Sequence, residues 1–337
     1  MSSVLAFFLA AAFSFVFAWL IRRYALARGL LDVPNKRSSH AMPTPRGGGV
    51  AIVITFLSFM LVCYVQGMVT ARSLLALFGS GAMVAVVGFL DDHGHVKARW
   101  RLLVHFIGAG LALCWLGLPP LSFFGLVFDL GWLGYLLAVF YLVWLLNLYN
   151  FMDGIDGIAG IEAITVCFGA ALLALLHSPD SADWHIPLLL VAAVSGFLVW
   201  NFPKARIFMG DAGSGFLGIT LGILSLQAAL ARPELFWGWL ILLGVFMVDA
   251  TVTLIRRIVR GEKFYEAHRS HAYQILSRRY GSHVKVTLGV LLINVCWLLP
   301  LALISGYFPQ IALLFVFIAY LPLVLVAVKV GAGTIHA

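Results

Sequence analysis

Charge is what this chain has least of. Of its 337 residues only 11% are Asp, Glu, Lys or Arg, whereas 62% are hydrophobic. A soluble domain needs a polar shell around its core, so this scarcity excludes one and makes a membrane protein the expectation. Cysteine is also sparse: Cys63, Cys114, Cys167 and Cys296 all lie in long apolar runs, which argues against structural disulfides and for simple packing. The sequence has no low-complexity tract, no obvious internal repeat and no aromatic-basic pattern suited to nucleic acid. No polar segment is long enough to fold around a core of its own.

Apolar runs of membrane-spanning length are abundant. About 20 such residues cross a bilayer core of about 30 Å. Eleven candidates occur, at 4–21, 47–66, 72–90, 102–118, 132–149, 155–176, 185–202, 212–230, 235–256, 284–305 and 308–329. The run at 102–118 is the weakest, being short and carrying His105. The expected fold is therefore an all-α polytopic integral membrane protein of about eleven transmembrane helices, one unit over residues 1–337. No positive charge precedes the first run, Arg22 and Arg23 follow it, and no clear small-residue cleavage site appears. It reads as a retained helix with its N-terminus periplasmic, which puts the C-terminus in the cytoplasm.

The basic residues test that count. Eleven spans sort the intervening loops into two alternating sets, one holding 20 of the 22 Lys and Arg residues and the other only Arg72 and Arg232. The rich set is cytoplasmic by the positive-inside rule. The net charge of +8 is thus first a sign of topology, and it also suits anionic lipid headgroups.

Five polar clusters fall on that cytoplasmic side: LDVPNKRSSHAMPTPRGGG, GFLDDHGHVKARWR, NLYNFMDGIDG, WNFPKARIFMGDAGSG and YEAHRSHAYQ. Together they outline one site in loops 22–46, 91–101, 147–157, 201–215 and 257–283. Asp91, Asp92, Asp153, Asp156 and Asp211 offer hard oxygens suited to magnesium or manganese. Lys36, Arg37, Arg46, Lys97, Lys204 and Arg206 offer cations for phosphate. Gly47–Gly49 and the run Gly210–Gly215 precede helices, whose first N–H groups favour anions. Acids for a metal, cations for phosphate and glycines for close approach are the equipment of phosphoryl transfer.

Each piece alone has a plainer reading. Asp91-Asp92 is also what a helix-end loop looks like, and a glycine run before a helix also serves a tight turn. His268 and His271 fit a surface loop as well as a site, and zinc is disfavoured because no cysteine lies near and the surrounding acids favour a harder ion. Phe208 would ordinarily pack at the membrane edge. Glu162 and Asp249 lie inside spans, where serving the site and pairing with a neighbouring helix are both open.

Taken in order, NKRSSHAMPTPRGGG, GFLDDHGHVKARWR, NLYNFMDGIDGIAG, NFPKARIFMGDAGSGFLG and HRSHAY resemble the polyprenyl-phosphate N-acetylhexosamine-1-phosphate transferases, over residues 32–273. That superfamily includes the phospho-N-acetylmuramoyl-pentapeptide transferases and the GlcNAc-1-phosphate transferases that begin surface glycans. The resemblance implies a magnesium-dependent transfer of a sugar 1-phosphate from a UDP-N-acetylhexosamine to undecaprenyl phosphate, releasing UMP; manganese is an alternative metal. It implies Asp211 as principal metal ligand and Asn150 as a second metal position. Asp91 or Asp92 would be the base or phosphate-positioning group, and His268 joins them in the catalytic set. Asp153, Gly154, Asp156 and Phe208 would line the uridine pocket, with Asn201 near the phosphates. Lys97, Lys204, Arg206 and His271 would complete the substrate site.

One departure bears on the substrate. The muramoyl-pentapeptide enzymes carry three consecutive histidines where this chain has His268-Arg269-Ser270-His271. That moves the expected donor to a simpler UDP-N-acetylhexosamine, GlcNAc or a 6-deoxy relative such as FucNAc or QuiNAc, and the expected pathway to O-antigen or a related envelope glycan. The expected location is a bacterial inner membrane with the site facing the cytoplasm; membrane lipid is a partner, nucleic acid is not, and a homodimer is left open. Two rivals remain. Asp153 and Asp156 fit the DxxD spacing of intramembrane prenyltransferases, although Asp91-Asp92 continues without a further acid. A nucleotide-sugar or lipid transporter would also be polytopic, but would place its binding groups near the midplane.

Overall fold

The computed structural model describes residues 3–34, 42–178, 184–262 and 268–334. Lys36 and Arg37 lie outside the described residues. The chain is a polytopic all-helical membrane protein. Its helices are α1 Ser3–Arg28, α2 Val50–Val65, α3 Ala71–Gly94, α4 Ala98–Leu116, α5 Gly131–Met152, α6 Ile158–His177, α7 His185–Asn201 and α8 Asp211–Ala231. They continue with α9 Leu235–Leu242, α10 Gly244–Val259, α11 Ala272–Tyr280, α12 His283–Ile293, α13 Leu299–Ser305 and α14 Ala312–Val330. Two short antiparallel pairs, Leu31–Asp32 with Thr44–Pro45 and Leu121–Phe123 with Leu126–Phe128, are the strands among the described residues.

Each of the eleven expected apolar runs falls on helix. Eight helices are long and apolar enough to cross a membrane, and a ninth arises if α9 and α10 form one span. α2 and α7, at 16 and 17 residues, are apolar but shorter. The run expected at 235–256 is broken, with α9 and α10 meeting at 69°. The break falls at Leu243, and at the adjacent Gly244 the missing side chain lets Leu298 and Tyr320 close in. The run at 284–305 is interrupted by a five-residue π-helical turn, Asn294–Leu298.

α8 is the centre of the molecule. Every residue from Ala212 to Leu226 is buried, so this helix is hydrophobic all round rather than amphipathic. It packs between α3 and α5. A side chain at Gly218 would lie 2.7 Å from the Leu145 carbonyl and the Leu146 backbone, so the small residues Gly218 and Gly222 set how closely α5 approaches. α1 and α14 sit at the periphery and expose large apolar side chains such as Phe8 (72%) and Phe317 (64%). An apolar exterior around a packed interior is the arrangement lipid favours.

Candidate active site

The polar clusters meet where α3, α4, α5 and α8 end or begin. α3 ends with Asp91 and Asp92, α4 opens just before Arg101, α5 closes with Asn150, and α8 starts at Asp211. Both oxygens of Asp211 are engaged: Oδ1 accepts from Arg46 Nη2 (2.8 Å) and Asn150 Nδ2 (3.1 Å), and Oδ2 from Arg101 Nη1 (2.9 Å). Arg46 also pairs through Nε with Asp92 at 2.7 Å, and Arg101 pairs with Asp91. Each guanidinium therefore bridges two carboxylates, Arg46 through two nitrogens of its fork and Arg101 through Nη1 alone. Burial works to lower the Arg46 pKa, but the carboxylates of Asp211 and Asp92 outweigh it and hold the guanidinium above its ordinary value.

The two adjacent aspartates do different jobs. Asp91 Oδ1 accepts the Val96 N–H at 2.7 Å, which ties the end of α3 to the turn into α4. Asp92 is almost fully buried, and its two oxygens accept the N–H groups of Asp211 and Ala212 at 3.0 and 3.3 Å. It thus serves as a cap supplied from another helix for the otherwise unpaired donors that open α8. Asn150 Nδ2 also reaches Ser214 Oγ at 3.0 Å, one turn into α8.

A small cavity of about 40 Å³ between α3, α4, α5 and α8 is lined by Asp211 and Asn150 together with apolar residues such as Val84 and Leu146. Its polar wall includes Arg101, Asn147 and His105, whose buried Nδ1 has no partner among the described residues.

The NFMDGIDG stretch forms the turn from α5 to α6. Asp153 is half-buried there and is pushed up to about 7, by burial first and then by the negative charge of Asp211. Asp156 is held from α12: its carboxylate lies 3.3 Å from His283 Nδ1, and its carbonyl accepts Thr287 Oγ1 at 2.9 Å. Asn201 is spent within the protein, with Oδ1 accepting the Gly157 N–H and Nδ2 donating to the Ile207 carbonyl, both at 3.0 Å. Phe208 is fixed by its backbone, donating to the Pro45 carbonyl and accepting from Gly48 N–H, each at 2.8 Å. That pairing sets PRGGG beside IFMGD and so delivers Arg46 to Asp211.

α11 brings the HRSHAYQ motif to the same place. Asp249 of α10 accepts the N–H groups of Ala272 (2.8 Å) and Tyr273 (3.0 Å), repeating the cap that Asp92 gives α8. The Tyr273 hydroxyl donates to the Phe151 carbonyl at 2.9 Å and rests on Gly154. His268 and His271 lie with ring centroids 4.8 Å apart, and His271 is buried. Lys97 and Lys204 are exposed, and Arg206 lies over the Trp200 ring at 5.5 Å. Among the described residues, the cations on Asp211 are Arg46 and Arg101.

Sequence reasoning passed over Arg101, His105, Tyr273 and His283. Arg101 was legible only as a topology charge, and His105 only as a blemish in an apolar run. Tyr273 stood inside a quoted motif, where its hydroxyl could have been the signal.

The sequence was compared with known proteins. The model of glycosyl transferase family 4 matches residues 74–229. A Bacillus subtilis protein named probable undecaprenyl-phosphate N-acetylglucosaminyl 1-phosphate transferase is 29% identical over 319 residues, 93% of this chain and 87% of its own. The decaprenyl-phosphate N-acetylglucosaminephosphotransferase of Mycobacterium tuberculosis is 29% identical over 304 residues, covering 80% and 74% of the two chains. The phospho-N-acetylmuramoyl-pentapeptide-transferase of Bacillus anthracis is 28% identical over 275 residues, or 75% and 81%. The family match takes in Asp91, Asp92, Arg101, Asn150, Asp153 and Asp211, the residues that gather at the ends of α3, α4, α5 and α8. Over residues 74–229 the chain is similar to glycosyl transferase family 4, and over most of its length to the named transferases.

Proposed function

We propose that this protein transfers N-acetylhexosamine 1-phosphate from a UDP-sugar to undecaprenyl phosphate, giving undecaprenyl-diphospho-sugar and UMP at the cytoplasmic face of a bacterial inner membrane. The donor sugar on this reading is GlcNAc or a 6-deoxy relative, and the product begins an O-antigen or related envelope glycan. The observation that carries the proposal is the Asp211 centre, where Arg46, Arg101 and Asn150 converge on one carboxylate at the ends of apolar helices. A lipid phosphate and a soluble nucleotide sugar meet only at such a boundary. The names of the relatives, each a transferase acting on a phosphorylated carrier or a muramoyl-pentapeptide, support the same reaction.

A divalent cation suits the site on the chemistry of its donors. Asp153 is pushed up to about 7 by burial first and then by the negative charge of Asp211, and a cation would relieve the second of these. No group of three Asp, Glu, His or Cys side chains with metal-binding geometry occurs among the described residues. Magnesium, which keeps several waters and shares substrate oxygens, needs no such cage. Asp211 and Asn150 would hold it, with manganese as the alternative. When bound, it would neutralise charge on the diphosphate.

On this reading an oxygen of the lipid phosphate attacks the β-phosphorus that bears the sugar. The bond from that phosphorus to the bridging oxygen breaks, and UMP leaves with the oxygen. Arg46 and Arg101 exchange carboxylate partners for phosphate oxygens and stabilise the charge that accumulates in transfer. A phosphate monoester has a second pKa of about 6, so the acceptor is already mostly dianionic and gains little from a base. Asp91 is accordingly assigned to positioning through Arg101. Asp92 is assigned to holding the first turn of α8, so that Asp211 points at the centre.

The test incubates purified protein with magnesium, undecaprenyl phosphate and a panel of radiolabelled UDP-N-acetylhexosamines. Lipid-extractable label with matching UMP, lost in Asp211→Asn, is the expected result and names the sugar. No transfer from any donor by well-folded protein would overturn the proposal in favour of a prenyltransferase or transporter.

A further inference from the structure

The segment after α14 folds back onto the histidine motif. Ala332 is fully buried and packs with Ala272 of α11 and Ala327 of α14. Arg256 Nη1 donates to the Ala332 carbonyl at 2.7 Å, and Arg260 Nη1 donates to the Gly333 carbonyl. The Gly333 N–H then donates to the Ser270 carbonyl at 2.7 Å. Gly333 has φ +72°, and a Cβ there would lie 2.9 Å from the Thr253 carbonyl oxygen and 3.1 Å from Arg256 Cβ. Only glycine fits that position without strain.

Ser270 carries the connection onward. Its hydroxyl lies 3.0 Å from His268 Nδ1, and its own N–H points at the same nitrogen from 3.4 Å. A backbone N–H can only donate, so Nδ1 is the acceptor and the proton of the neutral ring sits on Nε2. That tautomer presents a donor suited to a phosphate oxygen.

We propose that Gly331–Thr334 is a clamp that orients His268, with Ser270 and Gly333 as positioning residues acting through it. The clamp rests on the transferase reading for its consequence, since His268 is its working end. Anchored by Arg256 of α10 and by Arg260 just beyond it, the segment fixes the Ser270 backbone, and Ser270 in turn fixes the ring and its tautomer. Without the clamp, His268 would sample orientations in which Nε2 no longer meets the diphosphate.

The experiment is a double-mutant cycle on the full chain in detergent, read alongside carbethoxylation of each histidine by diethyl pyrocarbonate followed by peptide mass spectrometry. Gly333→Val should lower kcat about tenfold with little change in the donor KM, and Ser270→Ala about fivefold. Combined with His268→Ala, neither should cost anything more, because both act through that ring. Carbethoxylation at His268 should quicken several-fold in Gly333→Val while buried His271 stays unchanged. Wild-type turnover in Gly333→Val, or losses that multiply with His268→Ala, would overturn the clamp. Should Gly333→Val fail to fold, Arg256→Gln and Ser270→Ala carry the same cycle. If the wild-type protein transfers no sugar, the transferase reading falls on its own. The clamp is then judged by carbethoxylation, where equal His268 rates in wild type and variant overturn it.

Discussion

Asp92, at the end of α3, accepts both N–H groups that open α8, from Asp211 at 3.0 Å and Ala212 at 3.3 Å. A residue that looks like half of an acid pair is therefore first a cap. Replacing a cap costs about 0.5–2 kcal/mol, and here Arg46 would also lose one of its two carboxylates. Asp92→Ala should lower the thermal midpoint by several degrees and abolish transfer. Asp91→Ala, which leaves the two N–H caps of α8 in place, should lose activity with a smaller stability change. Differential scanning fluorimetry beside the transfer assay separates the two, and equal midpoints would refute the division of labour.

Arg46 and Arg101 each hold two carboxylates at once. At Arg46 the two contacts leave from different nitrogens, Nε and Nη2, a spread that one compact ammonium does not reproduce, whereas at Arg101 both leave from Nη1. Arg46→Lys should reduce kcat/KM by roughly 10- to 100-fold, about 1.4–2.8 kcal/mol of transition-state stabilisation, and Arg101→Lys by less. Substitution at exposed Lys204 should change it by less than threefold. Steady-state kinetics on the three variants checks this; wild-type kcat/KM in Arg46→Lys would show that bridging is not what the site uses.

How much of this was legible beforehand depends on the kind of fact. The helical membrane fold followed from composition and the spacing of apolar runs, because a bilayer imposes a length that short-range sequence reports. The five clusters were legible as one site because they shared a side. Which cation meets which acid was not, since Arg46 and Asp211 are 165 residues apart and Arg101 and Asp211 are 110 apart. Such pairings depend on helix ends meeting, which no local pattern encodes. Asp249 and Glu162 were open between site and scaffold. The structure gives Asp249 to the first turn of α11 and Glu162 to Asn294. The bend at Leu243 was hidden because apolar runs look the same straight or broken.

Tyr273 is wedged against the turn that carries Asp153 and Asp156, with its hydroxyl on the Phe151 carbonyl and against Gly154. Any Cβ at Gly154 overlaps that hydroxyl first and the ring carbon bearing it, at 3.1 Å, second. Gly154→Ala should therefore lose most activity, and Tyr273→Phe should raise the donor KM a few-fold. The double variant should recover part of the Gly154→Ala loss, since removing the hydroxyl relieves the worst overlap. A double variant no better than Gly154→Ala alone would count against the wedge.

Asp153 supplies a pH signature. Its carboxyl is raised to about 7 from the ordinary carboxylate range, by burial and then by Asp211. Between about pH 4 and 7 the folded protein therefore holds a proton that the unfolded chain has released, so folded stability falls as pH rises through this window. Above pH 7 the full cost of ionising Asp153 is present; below about pH 4 it is absent. In the absence of added metal, Asp153→Asn should melt a few degrees above wild type at pH 8, with the difference shrinking toward pH 5. Magnesium should narrow the gap at pH 8 by relieving the same repulsion. A pH-independent difference in midpoints would show that Asp153 is not the group responsible.

Deep in the bundle, Asn294 Nδ2 donates to Glu162 Oε2 and to Thr165 Oγ1, both at 2.7 Å, at the π-helical turn between α12 and α13. Among the described residues, Glu162 Oε1 and Asn294 Oδ1 are buried with no hydrogen-bond partner. Two orphaned acceptors on one side-chain pair lack a donor, and leaving a buried polar atom unpaired costs about 1–3 kcal/mol. A glutamine at position 162 can keep its carbonyl on Asn294 Nδ2 and turn its NH₂ toward the remaining acceptor. Glu162→Gln should therefore melt at or above the wild-type midpoint and retain transfer activity. Glu162→Ala, which abandons Asn294 in an apolar interior, should melt several degrees lower. Thermal unfolding in detergent decides it: a glutamine variant as unstable as the alanine one would mean that the carboxyl group itself is required there.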